Sequence, residues 1–121
     1  MRICFDLDGT LCTGTRMTPG GTNYDNCSPM PGASSILREL RRQGHTVILQ
    51  TARGMGSTGG NVGAAVAKVA TQTVAQLNTW GFEYDELHFG KPSADLYVDD
   101  KAQNALEFWN QQLELEEKLW Q

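Results

Sequence analysis

Residues 1–11 read MRICFDLDGTL, and how this stretch is read decides the fold. Ile3, Cys4 and Phe5 form a short apolar run in which Cys4 and Phe5 favour burial, which predicts a buried strand from the start of the chain. The run ends on Asp6 and Asp8, two residues apart, with Gly9 and Thr10 following as a turn. Both acids are therefore expected at the C-terminal edge of a central strand, where open α/β sheets bind ligands. Carboxylates this close repel each other unless a proton or a cation is shared between them. A single Asp in a turn commonly does no more than cap a strand, but Asp6, Asp8, Gly9 and Thr10 together behind an apolar strand point to a divalent metal. Mg²⁺ prefers carboxylate, carbonyl and water oxygens and accompanies substrate phosphates, so the stretch predicts phosphate chemistry.

Working outward, residues 12–31 are polar and broken by Pro19, Gly20, Gly21, Pro29 and Pro31, which predicts a loop or small hairpin leaving directly from the acids. Pro31 can start a helix. Ala33, Ile36, Leu37 and Leu40 follow at helical spacing, with Arg41 and Arg42 near its end and Gly44 as its stop. Residues 46–51, TVILQT, are a second buried strand; strand, helix and strand make a right-handed parallel crossover that brings Thr51 to the edge shared with Asp6. The Thr51 hydroxyl either caps the following turn or reaches a phosphoryl oxygen. Arg53 either grips phosphate with its guanidinium fork or is solvated.

Residues 54–63, GMGSTGGNVG, lack the GxxxxGK[ST] spacing of a nucleotide-binding loop. Their glycines suit either a substrate loop or a flexible connection, and Asn61 suits a helix cap. Val62, Val66, Val69, Thr73, Leu77 and Trp80 then predict a helix with a core-facing stripe, stopped by Gly81. Leu87, His88 and Phe89 form a third brief strand, and His45 and His88 read as structural. Lys91 follows, ahead of Pro92, placed to reach back to the acids. Leu96, Tyr97 and Val98 are expected as a fourth strand, ending in a second acidic pair, Asp99 and Asp100, which repeats the metal-binding logic of the first. Residues 101–121 read as one long helix on which Leu106, Trp109 and Leu113 face the sheet, while Phe108, Leu115, Leu119 and Trp120 lie on another side. Two apolar sides predict a partner surface, with a homo-oligomer as the hypothesis.

Composition narrows the classes. The 121 residues suit one domain, 1–121, and the net charge of −4 offers no basic groove of the sort a nucleic-acid binder needs. It suits a small charged metabolite whose phosphate is handled locally. Cys4, Cys12 and Cys27 are odd in number, without CxxC spacing or His companions, so reduced thiols are expected and Cys12 and Cys27 read as ordinary turn residues. A chain that opens on a strand and has no membrane-length apolar run is expected in the cytoplasm, away from membranes.

FDLDGTLC resembles the first signature of the haloacid dehalogenase superfamily, an apolar strand followed by DxDGT or DxDGS. The resemblance implies Asp6 as nucleophile and Asp8 as acid/base, and the second acid favours phosphoryl chemistry over carbon–halogen cleavage. It extends to Thr51 as the second signature, to Lys91 in GKP as the third and to Asp99 and Asp100 as the fourth, so it spans residues 1 to about 105. What it implies is an α/β fold with a Rossmann-like, doubly wound, mostly parallel sheet and no cap domain. It further implies that Mg²⁺ is held by one oxygen of Asp6, the backbone carbonyl of Asp8 and the Asp99 and Asp100 pair, with Thr51 and Lys91 catalytic and Gly9, Thr10, Ala52 and Arg53 at the substrate. Which of Asp99 and Asp100 ligates directly stays open. The run from TARGM through YDELHFGKPSADLYVDDKA is similar to the small capless phosphatases of capsule and polysaccharide biosynthesis, which implies a sugar phosphate as substrate. A nucleotide or polynucleotide phosphatase is the nearest alternative, and a non-catalytic module of the same fold the next. A signalling receiver domain would need its phospho-accepting Asp where Thr51 stands.

Overall fold

A computed structural model of the protein describes residues 1–121 except Ser93, Val98, Asp100, Trp120 and Gln121, with side chains as far as residue 114. Strand β1 (Arg2–Asp6) is followed by four short strands, β2 (Cys12–Thr13), β3 (Arg16–Thr18), β4 (Gly21–Asn23) and β5 (Ser28–Pro29). Helix α1 (Ala33–Arg42), strand β6 (Thr46–Thr51), helix α2 (Val62–Thr79), strand β7 (Glu86–Phe89) and helix α3 (Ala105–Leu119) complete the order. The expected hairpin at residues 12–31 is present as two small antiparallel ribbons: β3 pairs with β4 around Pro19 and Gly20, and β2 pairs with β5 at its base. This excursion is called the flap below.

The main sheet is parallel, in the order β1-β6-β7. Val47, Ile48 and Leu49 are buried in succession, so both faces of β6 are covered and it takes the centre. In β1, by contrast, Phe5 points inward and Cys4 is exposed. Among the described residues β1 is therefore an edge strand, and the central strand is β6; this corrects the expectation for the first stretch. The two crossovers, through α1 and α2, are parallel as expected and bring the C-terminal ends of all three strands to one edge. There Asp6 lies beside Gln50, and Thr51 beside Phe89.

Helix α1 buries Ala33, Ile36, Leu37 and Leu40, the face its spacing predicts. On helix α2 the expected stripe holds from Val69 onward, with Val69, Thr73 and Leu77 buried and Trp80 against the core, but in its first turns Val62 and Val66 are exposed and Ala65 is buried instead. The cause is the approach of the preceding loop. Gly54 has φ +79, and a Cβ there would lie 3.1 Å from the Cα of Ala65, so the chain passes directly over Ala65 and that face of the helix is covered. Asn61 caps α2 as expected, its side chain accepting from the Ala64 N–H at 2.9 Å.

Two further expectations are corrected. Leu96 and Tyr97 form no strand and are exposed, and Val98 lies outside the described residues. The Tyr97 hydroxyl donates to the Pro92 carbonyl and accepts from the Ala94 N–H, which folds the segment back on itself instead of extending it. On α3, Trp109 is buried while Leu106 and Leu113 are exposed, and the side chains of Leu115, Leu119 and Trp120 lie outside the described set. Phe108 packs edge-on against Phe5 at 5.4 Å, and Trp109 stacks on Phe5 at 6.3 Å while donating its indole N–H to the Thr10 carbonyl at 3.0 Å. Two aromatic rings with a hydrogen-bonding tip dock the helix where leucines would offer area alone. Among the described residues no helix is long and apolar enough to cross a membrane.

Trp109→Ala should therefore lower stability by about 3–5 kcal/mol, whereas Leu106→Ala should stay within about 0.5 kcal/mol of the parent, both read from urea unfolding midpoints at constant slope.

Candidate active site

The shared strand edge opens into a cavity of about 750 Å³. Asp6 and Asp8 line one side, Met17, Gly21 and Thr22 of the flap another, and Ala52, Gly56 and Ser57 a third. The flap thus overhangs the acids, and residues 54–57 contribute to the wall as a substrate loop would. That loop is braced by its own bonds, the Thr58 hydroxyl donating to the Gly54 carbonyl at 2.7 Å and the Gly60 N–H to the Met55 carbonyl at 2.9 Å.

Asp6 ends β1, and Lys91 follows β7 with its N–H on the Thr51 carbonyl at 3.3 Å. Their side chains meet, Lys91 Nζ lying 3.5 Å from Asp6 Oδ1, and the same ammonium sits 4.2 Å above the ring of Tyr97. Burial raises the pKa of Asp6 against the opposing pull of Lys91 and of the Leu7 N–H.

The turn after β1 is closed on itself. Gly9, at φ +85, donates to the Cys12 carbonyl at 2.8 Å, and the N–H groups of Thr10, Leu11 and Cys12 all point to the Leu7 carbonyl. Gly9 and Thr10 are thereby held beside the acids with their amides already engaged. Thr51 is 1% exposed, and its hydroxyl accepts from the Arg53 N–H at 3.1 Å, the bond of a turn cap.

Arg53 departs from both readings offered for it. It is neither solvated nor free to grip phosphate: it is 1% exposed, and its donors are engaged by the protein. Nε donates to Asp8 Oδ2 at 2.9 Å and Nη2 to Asp8 Oδ1 at 3.0 Å, a two-pronged grip on both oxygens. Nη1 donates to Thr73 Oγ1 at 3.2 Å and Gln76 Oε1 at 2.6 Å, and the guanidinium lies 4.4 Å over the Tyr24 ring. Burial opposes its charge, but the bonds and charge of Asp8 outweigh that and raise its pKa. Tyr24, Thr73 and Gln76 were missed in the sequence. The available signal for the latter two was a polar Thr73 among the apolar positions of the stripe, with Gln76 three residues on along the same face.

Among the described residues, the ligating side chains of Asp8, Cys12 and Cys27 lie within 4.8 Å of one another, and no such group of three includes Asp6 or Asp99. Burial pushes the Cys12 thiol up, the adjacent Asp8 adding to it, and the thiol donates to Asp8 Oδ1 at 3.3 Å. With Arg53 on both oxygens, the side chain of Asp8 is not a free ligand. The Asp6 carboxylate, 35% exposed toward the cavity, is the hard oxygen donor here that suits Mg²⁺. Asp99 is exposed and accepts from the Lys101 N–H at 2.9 Å, and Asp100 lies outside the described residues. Of the expected ligands, Asp6 and Asp8 thus stand together at the cavity and Asp99 is exposed.

No protein-family model matches the chain, and no curated protein matches it. Among solved structures, the crystal structure of a target protein from Vibrio cholerae is 31% identical, with 89% of this chain aligned to 87% of that one at a TM-score of 0.75. The D,D-heptose 1,7-bisphosphate phosphatase from B. bronchiseptica, crystallised with magnesium and phosphate, is 20% identical, with 84% of this chain aligned to 54% of that one at a TM-score of 0.49.

A carboxyl whose folded pKa stands above its unfolded value costs stability wherever it must ionise, and the cost disappears once both states are protonated. Asp6→Asn should therefore raise the melting temperature in metal-free neutral buffer. The margin should shrink as pH falls through the ordinary carboxylate range near about 4, in a series of thermal melts against the parent.

Proposed function

Because the chain belongs to one family with the Vibrio cholerae protein along nearly the whole length of both, and that kinship leaves the chemistry to the residues, we propose a haloacid dehalogenase-type phosphatase. In this reading residues 1–121 are one capless, doubly wound domain that works in the cytoplasm on a phosphate monoester. The substrate is a small phosphorylated metabolite, a sugar phosphate of capsule or polysaccharide synthesis. The observation that carries the reading is the Asp6 carboxylate at the end of a parallel strand, 3.5 Å from Lys91 and open to the flap-covered cavity. A carboxylate paired with an ammonium at that edge is arranged to meet a phosphoryl group.

Asp6 attacks phosphorus in line with the ester oxygen, forming an aspartyl-phosphate, and water then displaces Asp6 to release phosphate. Lys91 offsets the charge of the approaching dianion and of the equatorial oxygens as the bond breaks. Asp8 gives a proton to the leaving oxygen and takes one from the attacking water. To do so it must release one of its two Arg53 contacts while the other holds it. Asp6, the backbone carbonyl of Asp8 and the Asp99 and Asp100 pair would hold Mg²⁺, which would supply charge neutralisation for the phosphate.

The grip of Arg53 on both Asp8 oxygens favours a second reading, a module that binds phosphate without turning it over. Phosphate release from a panel of sugar phosphates, nucleotides and an aryl phosphate, with and without Mg²⁺, separates the two. Turnover that needs Mg²⁺ and is abolished in Asp6→Asn is expected, with Lys91→Met lowering kcat by about 10²–10³-fold. Phosphate binding without turnover in the parent would establish the module instead.

A further inference from the structure

We propose that Arg53 is a positioning residue for Asp8, and that Gln76 and Tyr24 extend this support into the flap, so that the acid and the flap are set as one unit. The proposal rests on the phosphatase reading for the role of Asp8. Its geometry is a continuous chain of bonds. The fork of Arg53 fixes both Asp8 oxygens, and Nη1 fixes the fork to α2 through Thr73 and Gln76. Gln76 turns its other end to the flap, Nε2 donating to the Tyr24 carbonyl at 2.7 Å. Tyr24 lies directly after β4, carries the guanidinium on its ring at 4.4 Å, and accepts the Gly54 N–H on its hydroxyl at 3.3 Å.

A planar guanidinium held at three nitrogens and one face has a single orientation, and a carboxylate gripped at both oxygens takes its plane from it. If the flap shifted, it would carry off the Tyr24 ring and the carbonyl that orients Gln76. Arg53 would lose two of its supports, and the Asp8 plane would no longer be fixed. Substrate seated under the flap therefore presses on the same residues that aim the acid.

Proton donation matters most where the leaving group is poor, so misaiming Asp8 changes the response to the leaving group, whereas general damage to the fold lowers all rates alike. The experiment compares kcat and KM for phenyl phosphate and 4-nitrophenyl phosphate in the parent, Arg53→Lys, Gln76→Leu, Asp8→Asn and the Asp8→Asn/Gln76→Leu double variant. The expected result is a rise of about tenfold in the 4-nitrophenyl to phenyl ratio of kcat for each single variant, and no further rise in the double variant. Equal losses on both esters, or a further rise in the double variant, would overturn the proposal. Should Arg53→Lys not fold, Gln76→Leu at its half-buried site carries the test alone. A parent inert to both esters and to the sugar phosphates and nucleotides of the panel above would sink the phosphatase reading, and the linked unit is then decided by urea unfolding. Non-additive losses for Asp8→Asn and Gln76→Leu support it, and additive ones overturn it.

Discussion

The ion pair between Arg53 and Asp8 is the constraint on which the rest of the site depends. A guanidinium with 1% exposure is tolerable only if nearly every donor has a partner. That requirement fixes what surrounds it: a carboxylate from the turn after β1, a hydroxyl and an amide from α2, and an aromatic face from the flap. Three segments far apart in sequence are thereby held to one point. Asp8 is turned inward toward the pair, and Asp6 is left as the carboxylate that faces the cavity and the Lys91 ammonium.

This division explains why two acids two residues apart behave differently. Asp6 is held in a partly desolvated place, with a cation at 3.5 Å that does not fully offset its burial. Asp8 is bound at close range by a guanidinium buried in the protein interior. One carboxylate is available to an incoming group and the other is braced, an asymmetry that suits the roles proposed for Asp6 and Asp8.

Much of the framework was legible from periodicity. TVILQT could only be a strand covered on both faces, and Ala33, Ile36, Leu37 and Leu40 could only be one face of a helix. The flap was legible from its prolines and glycines. What escaped was set by tertiary contact. The buried face of the first turns of α2 was chosen by the passage of Gly54 over Ala65, and that of α3 by two aromatic rings meeting Phe5. The segment around Tyr97 was read as a strand from its apolar residues, but a single hydroxyl folds it back. Of the candidate site, the meeting of Asp6 and Lys91 was legible because topology alone places both at one edge. The place of Arg53 was not, because an arginine after a strand reads the same whether it faces a ligand or a buried acid. Only the positions of Thr73 and Gln76, a full helix away in sequence, distinguish the two.

The bond from the Trp109 indole to the Thr10 carbonyl joins residues 99 positions apart and fastens the turn that carries the acids. A ribosome adding about 5–20 residues per second needs roughly 5–20 s to traverse that interval. Throughout it, the acid turn has been made but the ring that clamps it has not. The acids are made well before the ring that secures them, so a nascent chain carries them unfastened until the segment bearing Trp109 has emerged.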